Sequence, residues 1–257
     1  MERYIESKER YEALYSDFKY ENLYLVYQPK VKNITGELVG LEALIRIKGK
    51  EKISIEKYIR NLEEEKLIHV IDYFVFEKVI GVIKERRNKG RPRIGISINM
   101  CTCTLLRDDF EEFISNGVKE IDLNKELEIE ITERNIPFDK IKDINKRIRF
   151  LKENNIRVAI DDFGIGNSNI SLLIEADIDT LKLDKSLIRN IIHSNKSKNI
   201  LKYIFNMCKA INVDVIVEGV ERKEELEALV EIGGEFSQGY YFSKPLLLER
   251  ISNKYYI

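Results

Sequence analysis

The chain carries a set of polar residues whose types suit hard-cation binding and water activation: Gln28, Glu42, Asn99, Glu130 with Glu133, the consecutive pair Asp161-Asp162, Lys182, Glu218 and Gln238. Each falls in or at the end of a separate β-rich run, where a buried polar group is costly unless it is partnered or used. Carboxylates crowded within a few ångströms cannot all ionise unless cations neutralise them. The donors are oxygens, with no histidine or thiolate among them, which points to Mg²⁺ or Mn²⁺ rather than zinc. Two successive aspartates at a strand end could reach two metals roughly 3.5–4 Å apart, an arrangement used to hydrolyse phosphoesters. Any one of these acids is more simply a solvated or paired surface charge. Their joint arrival at strand ends argues for a site.

The elements that must position them alternate. Leu23–Val31 and Leu38–Ile47 read as strands, joined by the polar turn Lys32–Gly36. So short a link makes them antiparallel neighbours, because a parallel crossover needs a dozen residues or more. Further strands are expected at Arg93–Met100, Leu127–Thr132, Arg157–Asp161, Thr180–Leu183, Asp214–Val217 and Gly239–Phe242. Helices are expected between them: Ile55–Arg87, Leu105–Val118, Asp139–Glu153, Ser168–Glu175, Leu187–Ile211 and Arg222–Ile232. This alternation predicts an α/β fold, a TIM-like (β/α)8 barrel with one antiparallel strand from the N-terminal hairpin. The alternative, an open doubly wound sheet, would want a Gly-rich phosphate loop after its first strand, and neither GxGxxG nor GxxxxGK[ST] occurs. Side chains alternate along a strand, so Glu42, Leu44 and Arg46 share a face, as do Lys182 and Asp184. In a barrel such positions converge on the mouth at the C-terminal strand ends. The spacing Tyr11, Leu14, Tyr15, Phe18 predicts a helix over residues 1–20, packed on a single domain spanning 21–257.

Composition narrows the function classes. The 257 residues include 43 basic and 44 acidic ones, a net charge of −1, which argues against a nucleic-acid polymer as partner but allows a small anionic ligand. The three cysteines, Cys101, Cys103 and Cys208, make neither a disulfide framework nor a paired CxxC zinc site, and Cys208 follows Leu201, Ile204 and Phe205 at helical spacing, so it is expected in the core. The N-terminus lacks an apolar signal segment, and the most apolar window, Val70–Ile83, is interrupted by Asp72, Glu77 and Lys78, so no membrane association is expected and the cytoplasm is the default compartment. His69 and His193, in expected helices, are given structural roles, and Tyr240-Tyr241-Phe242 is expected in the barrel wall.

The full set of motifs resembles one family. They are Tyr27-Gln28-Pro29, Glu42-Ala43-Leu44 with Arg46, Ser97-Ile98-Asn99, Glu130-Ile131-Thr132-Glu133, Asp161-Asp162-Phe163-Gly164, Leu181-Lys182-Leu183-Asp184, Glu218-Gly219-Val220-Glu221, and Gln238-Gly239-Tyr240 with Lys244-Pro245. In this order and spacing they are similar to the EAL domain family of cyclic di-GMP phosphodiesterases over nearly the whole chain. The resemblance implies a cyclic di-GMP-specific hydrolase using two Mg²⁺ or Mn²⁺ ions to give linear pGpG. By that resemblance Glu42, Asn99, Glu130 and Asp161 hold one metal, and Asp161, Asp162 and Glu218 serve the second. Lys182 then orients the attacking water or stabilises developing charge, and Gln238 positions the water or the network behind it. Substrate contacts fall to Gln28, Arg46, Asp184 and Glu221, and Glu133 braces the loop after Asp162. A homodimer is also implied, with control through dimerisation, a protein partner or expression level.

The loop after the aspartates departs from the family pattern: Ile165 stands for a small residue and Asn167 for an aromatic. Ile47 replaces a common tryptophan, Ile55 a common proline, and Cys101 a common serine. The altered loop keeps open an alternative in which the domain is a catalytically inactive cyclic di-GMP receptor. A barrel hydrolase acting on another phosphodiester is a third reading.

Overall fold

The stretch Leu127–Thr132, LEIEIT, shows how sequence becomes barrel. Its isoleucines and Leu127 are buried, and its glutamates are buried too, on the opposite face of the strand. Only a closed sheet with helices outside satisfies both: apolar groups pack under the helices and acids face the lumen. Ile96/Ile98 against Ser97/Asn99, Val158/Ile160 against Ala159/Asp161, and Leu181/Leu183 against Thr180/Lys182 repeat the pattern.

The computed structural model describes residues 22–49, 54–132, 140–164 and 170–257. The expected helix over 1–20, Glu133 and the altered segment 165–169 lie outside these residues. Eight strands close in sequence order: β1 (Leu23–Lys32), β2 (Leu38–Ile47), β3 (Gly95–Met100), β4 (Leu127–Thr132), β5 (Arg157–Phe163), β6 (Thr180–Leu183), β7 (Asp214–Val217) and β8 (Phe236–Gln238). β1 runs antiparallel to both neighbours, β2 and β8, and the remaining pairings are parallel. The described helices are α1 (Ile55–Glu64), α2 (Ile68–Asn88), α3 (Thr102–Leu105), α4 (Phe110–Val118), α5 (Ile141–Glu153), α6 (Ile170–Glu175), α7 (Asn195–Ala210), α8 (Lys223–Glu231) and α9 (Leu248–Tyr255). None is long and apolar enough to cross a membrane.

Several expected boundaries shift for local reasons. The long helix over 55–87 is two helices, broken where Lys66 takes a left-handed φ of 57°. The helix expected over 105–118 begins only at Phe110, as α4, and α3 is a separate turn ahead of it at Thr102–Leu105. Lys185–Leu187 is a 3-10 turn, and α7 begins only at Asn195, where the Ser194 side chain accepts from Ser197 N at 3.1 Å. His193 therefore sits in a turn rather than a helix, whereas His69 is buried in α2. The last strand lies at Phe236–Gln238, ahead of its expected position. Gly239 approaches the Val220 backbone so closely that a Cβ would lie 2.1 Å from the Val220 carbonyl oxygen, and the chain turns there. Tyr240-Tyr241-Phe242 follows that turn outside the wall, with Tyr240 56% and Tyr241 41% exposed. Cys208 is fully buried on α7, as its spacing predicts.

Candidate active site

At the C-terminal mouth acids from β2, β4 and β5 and from the residue after β7 converge on Lys182 of β6. The lysine is fully buried, and its Nζ lies 2.6 Å from Glu130, 2.7 Å from Glu218, 3.2 Å from Asp161 and 3.6 Å from Glu42. Glu42 also accepts from Asn99 Nδ2 at 2.8 Å and from Gln238 Nε2 at 2.5 Å, and Gln238 donates in turn to Gln28 Oε1 at 3.2 Å. Register explains the convergence: Gln28 faces Glu42 across the β1–β2 pair, and Asn99 stands beside Glu130 across β3–β4.

Asp162 needs a further device, because successive strand residues point to opposite faces. It adopts φ 61°, a left-handed conformation that aspartate tolerates better than most residues, and its N–H bonds to Asp161 Oδ1 at 2.8 Å. The bend lets both acids serve the mouth. One carboxylate oxygen from each of Asp161, Asp162 and Glu218 lies within 4.8 Å of the others.

The electrostatics are lopsided. Burial pushes the Glu42 and Asp161 carboxyls above the ordinary carboxylate range, and carries Glu218 up to about 8, against the opposing pull of Lys182. Burial acts on Glu130 in the same sense, but Lys182 and Lys30 together outweigh it and hold that carboxyl down at about 2. Lys182 titrates well above its usual value: burial alone would lower it, yet the surrounding carboxylates dominate. Even with Lys30 sharing Glu130, Lys182 thus faces more acids than the two lysines can neutralise. That surplus of buried, oxygen-only negative donors fits hard divalent cations.

Two adjoining cavities open onto these groups. One, about 660 Å³, is bounded by Gln28, Glu42, Asp184, Glu218, Glu221 and Gln238. The other, about 610 Å³, includes Arg46, Asn99, Asp161 and Asp162 in its lining. Leu44, Glu56, Arg60 and Asp162 border both, so they form one continuous mouth. Asp184 divides its role, since Oδ1 accepts from Ser186 N at 2.7 Å and starts the 3-10 turn. Arg46 donates to its neighbour's carbonyl, Ile45 O, at 2.7 Å. Of the expected site residues, all but Glu133 are described; all of these but Lys182 and Glu130 line one or both cavities, Lys182 lies against Glu42, Asp161 and Glu218 of the lining, and Glu130 is bonded to Lys182.

Sequence reasoning passed over several participants. Lys30 bonds both Glu128 and Glu130 at 2.8 Å, and Arg60, Lys185 and Arg189 bring positive charge to the mouth. The alternation of β1, which puts Lys30 two residues beyond Gln28 on the same face, was a usable signal for the first. Nothing local marks the other three, which reach the cavity from α1 and from the segment after β6.

The EAL domain family model matches residues 11–245. The Oxygen sensor protein DosP of Escherichia coli is 30% identical over 244 residues, covering 93% of this chain and 30% of its own length. The cyclic di-GMP phosphodiesterase NbdA of Pseudomonas aeruginosa is 29% identical over 240 residues, covering 92% of this chain and 30% of that protein. The chain thus spans about a third of the length of these curated relatives. The EAL enzyme Bd1971, solved with cAMP and cyclic di-GMP bound, superposes with a TM-score of 0.84 at 25% identity, over 99% of this chain and 69% of that one. The acid-lined mouth, the antiparallel β1 and the matched length agree, and the chain belongs to the EAL domain family.

Proposed function

We propose that this domain hydrolyses cyclic di-GMP to linear pGpG, using Mg²⁺ or Mn²⁺, and that two ions are held. The observation that carries the reading is the surplus of buried carboxylates around Lys182, on a barrel of the EAL family. NbdA, named as a cyclic di-GMP phosphodiesterase, and Bd1971, solved with that nucleotide, support the choice of substrate.

Glu42, Asn99, Glu130 and Asp161 would hold one ion, and Asp161, Asp162 and Glu218 the other. Bound there, the ions supply positive charge to the phosphoryl oxygens and lower the pKa of water. Lys182, with its ammonium fixed among Glu130, Glu218 and Asp161, holds the attacking water in line and meets charge developing on the phosphoryl oxygens. Gln238 keeps Glu42 oriented through its amide N–H and links it to Gln28. Gln28, Arg46, Asp184 and Glu221 contact the nucleotide from the mouth, joined by Arg60 and Arg189, whose guanidiniums suit phosphate oxygens. Glu133 is assigned to bracing the loop beyond Asp162. Water adds to phosphorus, one P–O ester bond breaks, and the ring opens to the linear dinucleotide.

A cytoplasmic homodimer is part of the same proposal, in keeping with three free thiols and with Ile200, Tyr203 and Met207 exposed along one face of α7. The test is a hydrolysis assay with Mg²⁺ or Mn²⁺, with Glu42→Ala as the blank. Ion-dependent pGpG release by the natural chain and none by the variant supports the proposal. Tight cyclic di-GMP binding in calorimetry, with no turnover under either ion, replaces it with the receptor reading favoured by Ile165 and Asn167.

A further inference from the structure

The cavity wall contains a pair of thiols that the hydrolytic chemistry does not use. β3 carries Asn99 and ends at Met100; Cys101 then caps the single turn α3, and Cys103 is its second residue. The two Sγ atoms lie 2.8 Å apart. A disulfide needs about 2.05 Å, so the sulfurs are within about 0.8 Å of bonding distance. Cys103 is exposed, while Cys101 is half-buried and lines the cavity together with Asn99, Asp161 and Asp162.

The backbone beneath the pair is held from outside the barrel. Asp72 of α2 accepts from Cys101 N at 3.1 Å and from Thr104 Oγ1 at 2.5 Å, and the Cys101 carbonyl accepts from Thr104 N at 2.9 Å. Cys101 caps α3 with its backbone alone, since its side chain makes no capping hydrogen bond. The thiols thus contact one another, Cys103 on the exposed side and Cys101 on the cavity side. That is the arrangement of an attacking and a resolving cysteine.

We propose that Cys101 and Cys103 form a reversible disulfide by exchange with low-molecular-weight disulfides, placing a redox-modified site on the wall of the catalytic cavity. The exposed Cys103 thiolate attacks one sulfur of a disulfide RSSR, forming Cys103–S–SR and releasing RS⁻, which is protonated to RSH. The Cys101 thiolate then attacks Cys103 Sγ, forming the Cys101–Cys103 bond and expelling the second RS⁻. The protein loses two electrons and two protons, and RSSR becomes two RSH. The linkage closes at the first turn of α3, two residues beyond Asn99, so the wall beside the proposed metal site differs between reduced and oxidised protein.

The test does not require turnover, so it stands or falls separately from the phosphodiesterase reading. The full chain is equilibrated with oxidised glutathione in excess, quenched with acid, alkylated and mapped by mass spectrometry. Free thiols are expected to fall from three to one, leaving the fully buried Cys208. The intact mass should fall by two hydrogens, one peptide should contain the Cys101–Cys103 link, and dithiothreitol should reverse the change. Cys101→Ser should instead retain a glutathione adduct on Cys103, because the resolving thiol is gone. Three surviving thiols, a stable adduct in the natural chain, or a disulfide between two chains would each overturn the proposal.

Discussion

The barrel lumen holds two charged layers built from the same residue types, and they differ in balance. Toward the N-terminal end, Lys30 pairs with Glu128, Glu128 accepts from Thr180 at 2.6 Å and lies 3.3 Å from Arg157, and Arg157 reaches Asp214 at 2.8 Å. Two cations meet two anions, and the groups also satisfy one another by hydrogen bonds. Toward the C-terminal end, Lys182 faces Glu42, Glu130, Asp161 and Glu218. Glu130 joins the layers by accepting from both Lys30 and Lys182. The lower layer is complete as it stands. The upper one holds more acids than its lysines can neutralise, and that imbalance, rather than the mere presence of buried acids, marks the site.

Substitutions in the upper layer should have the largest effects. Asp161→Asn removes the acid assigned to both ions, and turnover is expected to fall about 10³-fold or more, equivalent to about 4 kcal/mol of transition-state stabilisation. Steady-state assays over a Mg²⁺ series check it; a loss under tenfold would show that the acids around Lys182 are not the reactive set. Lys182→Met removes the one central cation and leaves buried acids unpaired. In chelator-treated protein it should cost about 3–5 kcal/mol in urea unfolding, and Mg²⁺ should recover much of that. If Lys182→Met unfolds at the natural midpoint without Mg²⁺, the upper layer was never short of positive charge.

Asp72 extends the contrast beyond the lumen, as a buried acid with hydrogen bonds but with no ion pair among the described residues. Burial pushes its carboxyl up to about 7 despite the donors from Thr104 and Cys101. Its pKa is higher folded than unfolded, so between about pH 4 and 7 the native state binds the proton that the unfolded chain releases. Stability from this group is therefore lost as pH rises through that window, by at most about 4 kcal/mol. Urea titrations of the natural chain and Asp72→Asn should diverge across the window and run parallel above it; parallel curves throughout would sink the assignment.

Mg²⁺ at about 100 times its Kd should stabilise the natural chain by about 2.7 kcal/mol, read as a thermal shift. The smallest effect belongs to the balanced layer. Glu128→Gln should cost about 1–3 kcal/mol of stability, since a neutral amide replaces the acid between Lys30 and Arg157. It should leave turnover within tenfold and the Mg²⁺ shift intact. A collapse of turnover there would mean the two layers act as one.

Much of the barrel was readable because its strands alternate so plainly. LEIEIT and TLKL put a polar residue on every second position between buried aliphatics, and β4 and β6 lie where that pattern places them. The last strand was harder. Gly239-Tyr240-Tyr241-Phe242 has strand-like composition, yet the contact between Gly239 and the Val220 backbone, distant in the chain, turns it out of the sheet. Breaks inside the helical regions were equally hidden, because apolar spacing continues across Lys66 while the backbone does not.

The chain's own order of residues determined the α/β alternation, the hairpin that makes β1 antiparallel, and the polar groups that must meet at one mouth. Those follow from local periodicity and from a turn too short for a crossover. Only the tertiary structure decided that Lys182 is the common neighbour of four acids and that Asp162 turns to join Asp161. It also brought Arg60 and Arg189 to the cavity. These facts depend on register around a closed barrel and on one left-handed residue, and neither is encoded in the spacing of any single segment.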